Sequence, residues 1–258
     1  MCEERSRPIV IAGDWHGDQG WALSVIRSAA RHGAQAILHV GDFAFDWPGP
    51  KRARYEDRVN RQLVECGLEL IVSGGNHDNW DTLQKLRPEQ NGLGVFRSNI
   101  RVLPRGGRAL IGGLTVGALG GAYSVDQEHR TEGKDWWRNE EPTTSEARKL
   151  MTGGPVDILI THDVPAGVTV EPLFVLPTEI RTKADRTREL LREVVDFLAP
   201  PNVFAGHWHQ RRTEEIVHPD GRSTRVDVLD KERSRDGNAV LVWAGDSALR
   251  VEPLIIQV

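Results

Sequence analysis

The chain has 258 residues, of which 39% are hydrophobic and 27% are charged, and its formal net charge at pH 7 is -4. These proportions are typical of a globular protein with a sizeable core, and the slightly acidic balance provides no general basic surface for nucleic acid. No apolar run is long enough to cross a bilayer, and an acidic pair and an early proline near the N-terminus disfavour a signal peptide. We therefore expect one cytoplasmic domain over residues 1–258, with no membrane partner.

The first third of the chain alternates apolar runs with helix-compatible stretches. Short apolar runs predict strands, and helical spacing of apolar residues predicts helices. In order, these elements are a strand over residues 8–12, a helix over 21–32, a strand over 35–40, a helix over 52–66 and a strand over 68–72. This alternation predicts a parallel sheet with right-handed crossovers, in which the loops leaving the carboxyl ends of the strands gather at one edge.

The remainder of the chain favours further strands and two helical regions. Residues 94–123 contain short β-like pieces with glycine turns, which favour antiparallel pairing, whereas the charged segment 126–151 predicts helix and loop over one face. Next come a strand at 156–160, a helix at 182–198, a strand at 202–206, and alternating runs at 214–217, 224–229, 239–243 and 249–256. The alternating runs are compatible with a closing antiparallel sheet.

Polar motifs follow five of the predicted strands. They are GDWHGD with Asp14 and His16, GDF with Asp42, GGNHD with Asn76, His77 and Asp78, THDVP with His162, and GHWH with His207 and His209. Side chains at positions i and i+2 of an extended segment point to the same face, so Asp14 and His16 are expected to converge on one site. The same spacing applies to His207 and His209, and the intervening tryptophans would then point away.

These motif residues are typical metal ligands. Cys2 and Cys66 form no CxxC pattern, so any metal must be held by imidazole, carboxylate and amide groups. Such ligands suit Mn, Fe, Zn or Ni, and seven of them are too many for one ion. Two ions about 3.5–4 Å apart that share a carboxylate would fit, and such pairs perform phosphoryl chemistry.

The ordered set of motifs resembles the calcineurin-like metallophosphoesterase family, whose pattern is D-x-H, G-D, G-N-H-[DE], H and G-H-x-H. The resemblance extends from Asp14 to His209, and all five blocks are present in order. Each block alone is a weak or moderate signal, whereas the ordered set is a strong one. It implies an α/β fold, a four-layer α/β/β/α sandwich of two mixed β-sheets flanked by helices.

The resemblance also implies a role for each motif residue. One ion would be bound by the residues that match Asp14, His16, Asp42 and His209, and the other by those that match Asp42, Asn76, His162 and His207. His77 matches the histidine that contacts the phosphate and protonates the leaving group, and Asp78 matches its supporting carboxylate. The implied reaction is hydrolysis of a phosphoester by a hydroxide that the two divalent ions activate, with Mn preferred and Fe, Zn or Ni as alternatives.

The substrate class depends on a departure from the family pattern. Protein Ser/Thr phosphatases place a phosphate-binding arginine after the second Gly-Asp, but this chain continues GDFAFDWPGP without one. We therefore expect a phosphodiesterase or phosphatase that acts on nucleotides or another small phosphoester. A nuclease acting on DNA or RNA, a protein phosphatase and a non-catalytic scaffold are the alternatives.

Three residues of the charged middle segment are candidates for substrate contacts. Arg130 could donate a bidentate pair of hydrogen bonds to phosphate, although a lone arginine in such a segment is usually a solvated surface residue. Trp136 and Trp137 could form a flap over the pocket, although tryptophan is more often buried in the core. The tryptophans beside the motifs could likewise stack on a base or simply pack.

Overall fold

The computed structural model describes residues 7–172, 175–245 and 248–257. Its first sheet has seven strands. In spatial order these are β13 (Arg250–Pro253), β12 (Ala239–Trp243), β1 (Ile9–Ala12), β2 (Ala36–His39), β3 (Glu69–Val72), β5 (Ile100–Val102) and β4 (Gly94–Val95). Strands β1, β2, β3 and β5 are parallel, as predicted for the first three, and the remaining strands of this sheet pair antiparallel.

The second sheet has six strands and is also mixed. In spatial order these are β10 (Arg212–Val217), β11 (Ser223–Val228), β9 (Asn202–Ala205), β8 (Ile158–Thr161), β7 (Leu114–Leu119) and β6 (Arg108–Ile111). Strands β7, β8, β9 and β11 are parallel, and the two edge strands pair antiparallel.

The two sheets pack face to face with helices on both outer sides. The helices are α1 (Gln19–Arg31), α2 (Arg54–Cys66), α3 (Trp80–Leu83), α4 (Thr144–Thr152) and α5 (Thr178–Leu198), with a 3-10 turn at Gln127–His129. Strand β1 shows why these layers form: Ile9 and Ile11 face the second sheet, whereas Val10 packs under α1 and α2. Helices α4 and α5 cover the other sheet. The predicted four-layer sandwich of two mixed sheets is thus confirmed.

Some predicted elements differ in extent or in partner. Helix α5 begins at Thr178 rather than at residue 182, and the segment 126–151 is mostly loop before α4. The closing runs do not form one sheet, because β10 and β11 join the second sheet while β12 and β13 extend the first. Cys2 lies outside the described residues, and Cys66 has a free thiol. Within the described ranges, none of the helices combines the length and apolarity that a bilayer crossing requires.

Candidate metal and phosphoester site

The five motifs meet at the carboxyl ends of their strands. The loops after β1, β2 and β3 come from the first sheet, and those after β8 and β9 come from the second. The side chains that they bring together are Asp14, His16, Asp42, Asn76, His77, His162, His207 and His209. The predicted convergence at one edge of the sandwich is therefore observed.

The Asp42 carboxylate lies between two histidines. Its Oδ2 is 3.3 Å from Nε2 of His16, and its Oδ1 is 3.3 Å from Nε2 of His162. Asn76 adds its Oδ1 at 3.1 Å from the same His162 nitrogen, and the His207 ring centroid is 5.1 Å from that of His162. The Asp42 carboxylate thus contacts two different histidines through different oxygens, as a carboxylate that bridges two ions would.

Two groups of donor atoms are compact enough to bind an ion. Asp14, His16 and His209 offer atoms that all lie within 4.8 Å of one another, and so do Asp14, Asp42 and His162. Asp14 Oδ2 is buried and, among the described residues, has no hydrogen-bond partner. A buried carboxylate oxygen without a donor is costly unless a cation binds it. These residues therefore fit a pair of divalent ions.

The electrostatics of the cluster also fit cations. Burial opposes charge on His16, but the hydrogen bond and the negative charge of Asp42 raise its pKa to about 10. Burial likewise opposes charge on His162, whose pKa the Asp42 charge raises to about 9. Burial lowers the pKa of His207 to about 4 and that of His209 to about 3, so both keep a neutral nitrogen available as a ligand. Metal binding would displace the protons from the first pair.

The backbone conformation of the first and last motifs differs from the extended one that the sequence predicted. Asp14, His16, His207 and His209 have φ of 51°, 43°, 68° and 51°, so they are not in extended segments. The paired side chains still converge, but they do so through left-handed residues that turn the chain sharply after each strand. Both intervening tryptophans were expected to point away from the site; Trp15 is fully buried in the core, whereas Trp208 is half-buried and lines the cavity beside the ligands.

Glycines in the motifs permit the ligands to approach the backbone. A Cβ at Gly75 would lie 2.2 Å from Asp42 Oδ1 and 2.8 Å from His162 Cε1. A Cβ at Gly206 would lie 1.9 Å from Asp14 Oδ2. Because any other side chain would displace these carboxylates, glycine is required at both positions.

Comparison with known proteins agrees with this geometry. A family model described as calcineurin-like phosphoesterase matches residues 7–211, which hold all the motif residues. The chain belongs to the calcineurin-like phosphoesterase family. This family depends on two metal ions, and the residues that match its model include both groups of donor atoms.

Two known proteins are similar to this chain. The lariat debranching enzyme of Arabidopsis thaliana is 28% identical over 189 residues, which are 64% of this chain and 42% of that enzyme. The chain thus spans less than half the length of that relative. The solved structure of TT1561 of Thermus thermophilus shares the fold, with a TM-score of 0.57 at 15% identity over 96% of this chain and 99% of that one.

Residues outside the motifs hold the candidate metal ligands in place. Glu232 Oε2 is 2.8 Å from Nδ1 of His16, and the Glu232 amide donates to the Asp14 carbonyl. Asn76 Nδ2 donates to Ser124 Oγ at 3.0 Å, and that hydroxyl donates to Glu140 at 2.8 Å. The hydrogen bonds from Asn76 to Ser124 and from Ser124 to Glu140 orient Asn76 Oδ1 toward His162. Sequence reasoning missed these three supports because they lie in segments without a motif.

The partner of His77 is an arginine rather than the predicted aspartate. The Arg130 guanidinium nitrogens lie 2.7 and 2.9 Å from the two ring nitrogens of His77, and Nη2 also donates to Asp126 at 2.8 Å. Among the described residues, the four donors to the buried Asp78 carboxylate are the backbone amides of Asp42, Phe43, Phe45 and Gly75. Asp78 therefore orders the motif loops and does not support the His77 imidazole as expected.

The two candidate flap tryptophans lie away from the cavity beside the ligands. Trp137 is 2% exposed and packs in the core under the first sheet, with its ring centroid 6.3 Å from that of Trp47. Trp136 is half-buried, and neither tryptophan is among the described residues that line the cavity. The prediction of a tryptophan flap is thus corrected, and Trp208 is the tryptophan that lines the cavity.

Proposed function

We propose that this phosphoesterase hydrolyses a small phosphodiester or phosphomonoester, such as a nucleotide, with two bound Mn²⁺ ions. The observation that carries the proposal is the Asp42 carboxylate, which directs one oxygen to each of two ligand groups beside His77 and Arg130. Mn²⁺ accepts this mixture of imidazole, carboxylate and amide ligands, and Fe, Zn and Ni are the alternatives. The whole chain would serve as one phosphoesterase domain.

The proposed ligand sets are those that the family resemblance implies, and they share Asp42 where the two compact donor groups share Asp14. Asp14, His16 and His209 would hold one ion, and Asn76, His162 and His207 the other, with Asp42 shared between them. When bound, such an ion pair lowers the pKa of water and neutralises charge on a phosphoryl group. His16 and His162 would release their protons as the ions bind, because each gives up its Nε2 lone pair.

Two further side chains would act on the substrate. Arg130 would donate to the phosphoryl oxygens, and Asp126 keeps its guanidinium at the cavity. Burial lowers the pKa of His77, and the adjacent Arg130 lowers it further. Phosphate that draws the guanidinium away would raise this pKa, so the imidazole would take up a proton and give it to the leaving oxygen. Asp78 would act indirectly, through the backbone amides that it orders.

A nuclease is the second candidate, and the name of the Arabidopsis relative supports it. That protein is called a lariat debranching enzyme, so a lariat substrate belongs in any test of this chain. The net charge of -4 gives no general attraction for a polyanion. We therefore place small phosphoesters first.

The proposal is tested with a substrate panel under defined metals. Protein stripped with a chelator should not hydrolyse bis(p-nitrophenyl) phosphate, and added Mn²⁺ should restore turnover. The panel then compares monoesters, diesters, 2′,3′- and 3′,5′-cyclic nucleotides, single-stranded DNA and a lariat. Absence of hydrolysis with Mn, Fe, Zn and Ni alike would refute the proposed function. Turnover confined to DNA or the lariat would favour the second candidate.

A further inference from the structure

The cavity beside the ligand groups is lined by both polar and apolar residues. It has a volume of about 250 Å³, and one wall is formed by ligand residues together with His77 and Arg130. The lining also includes five apolar residues, namely the exposed Pro172 and the half-buried Val125, Leu176, Ala184 and Trp208, and we call the last four the apolar wall. Metal ligands alone do not require an apolar wall, so this wall is available to the organic part of a substrate.

The indole of Trp208 is held in a fixed orientation on this wall. Its Nε1 donates to Asp163 Oδ1 at 2.7 Å, and that oxygen also accepts the Val164 amide at 2.7 Å. The Arg188 guanidinium carbon lies 5.3 Å from the centre of the indole ring. The hydrogen bond at Nε1 and the guanidinium beside the ring together restrict the side chain of Trp208. Its apolar surface is therefore rigid, and it loses little conformational entropy when a ligand binds.

The charges of the cavity limit the number of phosphoryl groups that it accepts. Among the described residues that line it, Arg130 is the one permanent cation, and Asp126 already binds it. Asp163 adds a further carboxylate to the lining. A second phosphoryl group beyond the ion pair would therefore lie near an acid with no cation to bind it.

We propose that the cavity binds a phosphoester with a single phosphoryl group and a flat apolar substituent, such as a nucleobase or an aryl ring, seated on the wall of Val125, Leu176, Ala184 and Trp208. The inference rests on the proposed function for the position of the phosphoryl group. It goes further by naming the organic part of the substrate and by excluding diphosphates and triphosphates.

The test measures binding rather than turnover. Calorimetry on the Mn²⁺-loaded protein would compare 1-naphthyl phosphonate with methyl phosphonate, and AMP with ADP. Burial of the naphthyl ring should tighten binding about tenfold or more relative to the methyl compound. Leu176→Ser and Ala184→Asn should each reduce this ratio at least threefold while methyl phosphonate binding stays unchanged. Ile180→Ser, at a position on α5 with Ala184 but outside the cavity lining, is the matched control.

The outcomes separate this inference from the proposed function. Equal affinity for the two phosphonates, or an ADP affinity equal to or higher than that for AMP, would overturn the inference even if the protein hydrolyses bis(p-nitrophenyl) phosphate. A naphthyl preference that is lost in both wall variants and kept in Ile180→Ser supports it even if the protein has no hydrolytic activity. In that last case the proposed function would fail on its own.

Discussion

The Asp42 carboxylate contacts both ligand groups through different oxygens. It also accepts the His77 amide at 2.8 Å. Burial raises the pKa of Asp42, but the charges of His162 and His77 and the hydrogen bonds to His16 and His162 together hold that pKa well below the ordinary value. Asp42→Asn keeps the shape and the hydrogen bond from the His77 amide but removes the charge. We expect the metal content to fall from about two ions per chain to less than one. Mass spectrometry of the dialysed protein measures this ratio.

His77 serves as the comparison for Asp42, because its ring contacts Arg130 and does not contact a carboxylate of the candidate ligands. His77→Ala should retain both ions and lose about 100-fold or more in kcat. The same metal analysis and a bis(p-nitrophenyl) phosphate assay test this. If His77→Ala also lost both ions, the separation of ligand and proton donor would be wrong.

The stability of the folded protein should decrease at acidic pH because of His39. It is fully buried beside Trp15, and burial lowers its pKa to about 3 from an ordinary value of 6.5. The unfolded chain therefore binds this proton more readily, so the stability that the neutral imidazole provides is present above pH 6.5 and is lost as the pH falls toward 3. The loss from this group should reach about 2 kcal/mol at pH 5.

Urea unfolding of the metal-free protein at pH 7 and pH 5 measures this effect. His39→Asn keeps an acceptor for the Gly41 amide, which His39 Nδ1 accepts in the wild type. The variant should lose less stability between the two pH values than the wild type does. The same substitution at the exposed His129 is the control, and an unchanged difference in His39→Asn would contradict the assignment.

Among single residues, the sequence predicted those that carry a motif and missed those that act through another side chain. Asn76 was predictable from GGNHD, but Ser124 and Glu140, which orient its amide, come from a segment that begins 48 residues further on. Arg130 was predicted as a phosphate donor, yet its contact with His77 depends on a loop whose path no periodicity specifies. Contacts of this kind arise from tertiary packing alone.

The loops that follow the strands were located correctly but given the wrong conformation. An extended segment was expected at GDWH and GHWH, whereas both contain left-handed residues. Local propensity disfavours this conformation for histidine and aspartate, so the surrounding packing must impose it. Composition and spacing cannot report such strain, and the correct convergence of the side chains was therefore predicted for an incorrect reason.

A glycine substitution tests how closely the loop after β3 must approach the loop after β2. Gly75→Ala places a methyl group 2.2 Å from Asp42 Oδ1. We expect a loss of stability of about 1–3 kcal/mol and a decrease in metal content, because the carboxylate must move. Gly20→Ala is the control, since its Cβ would lie 3.5 Å from the nearest atom in the first turn of α1. Equal metal affinity in both variants would disprove the requirement.

The sequence predicted the sandwich architecture, but it did not predict which of the two sheets each of the last strands joins. Alternating apolar residues indicate which face of a strand is buried and do not indicate its neighbour. Strands β10 to β13 carry similar alternating patterns and yet join two different sheets. The fold class followed from the motif order, and the strand partners required the structure.

Metal removal should affect the stability of the complete domain, because the ligands come from loops of both sheets. An ion at 100 times its Kd adds about 2.7 kcal/mol of stability. A chelator should therefore lower Tm by about 5–10 °C in a domain of this size. Calorimetry with and without Mn²⁺ measures this difference, and Asp42→Asn should show a smaller one. An unchanged Tm in the wild type would argue against ions that join the two sheets.

The family match ends at residue 211, but the part of the chain beyond it supports the proposed metal ligands. Strand β12 pairs with β1, the Glu232 carboxylate lies 2.8 Å from the His16 ring, and Asn238 donates to the Gly13 carbonyl. A chimera that joined residues 7–211 to the C-terminal segment of another family member would thus inherit every proposed ligand. It would lose the contacts that hold Asp14 and His16. The boundary of such a chimera must therefore lie beyond the residues that make these contacts.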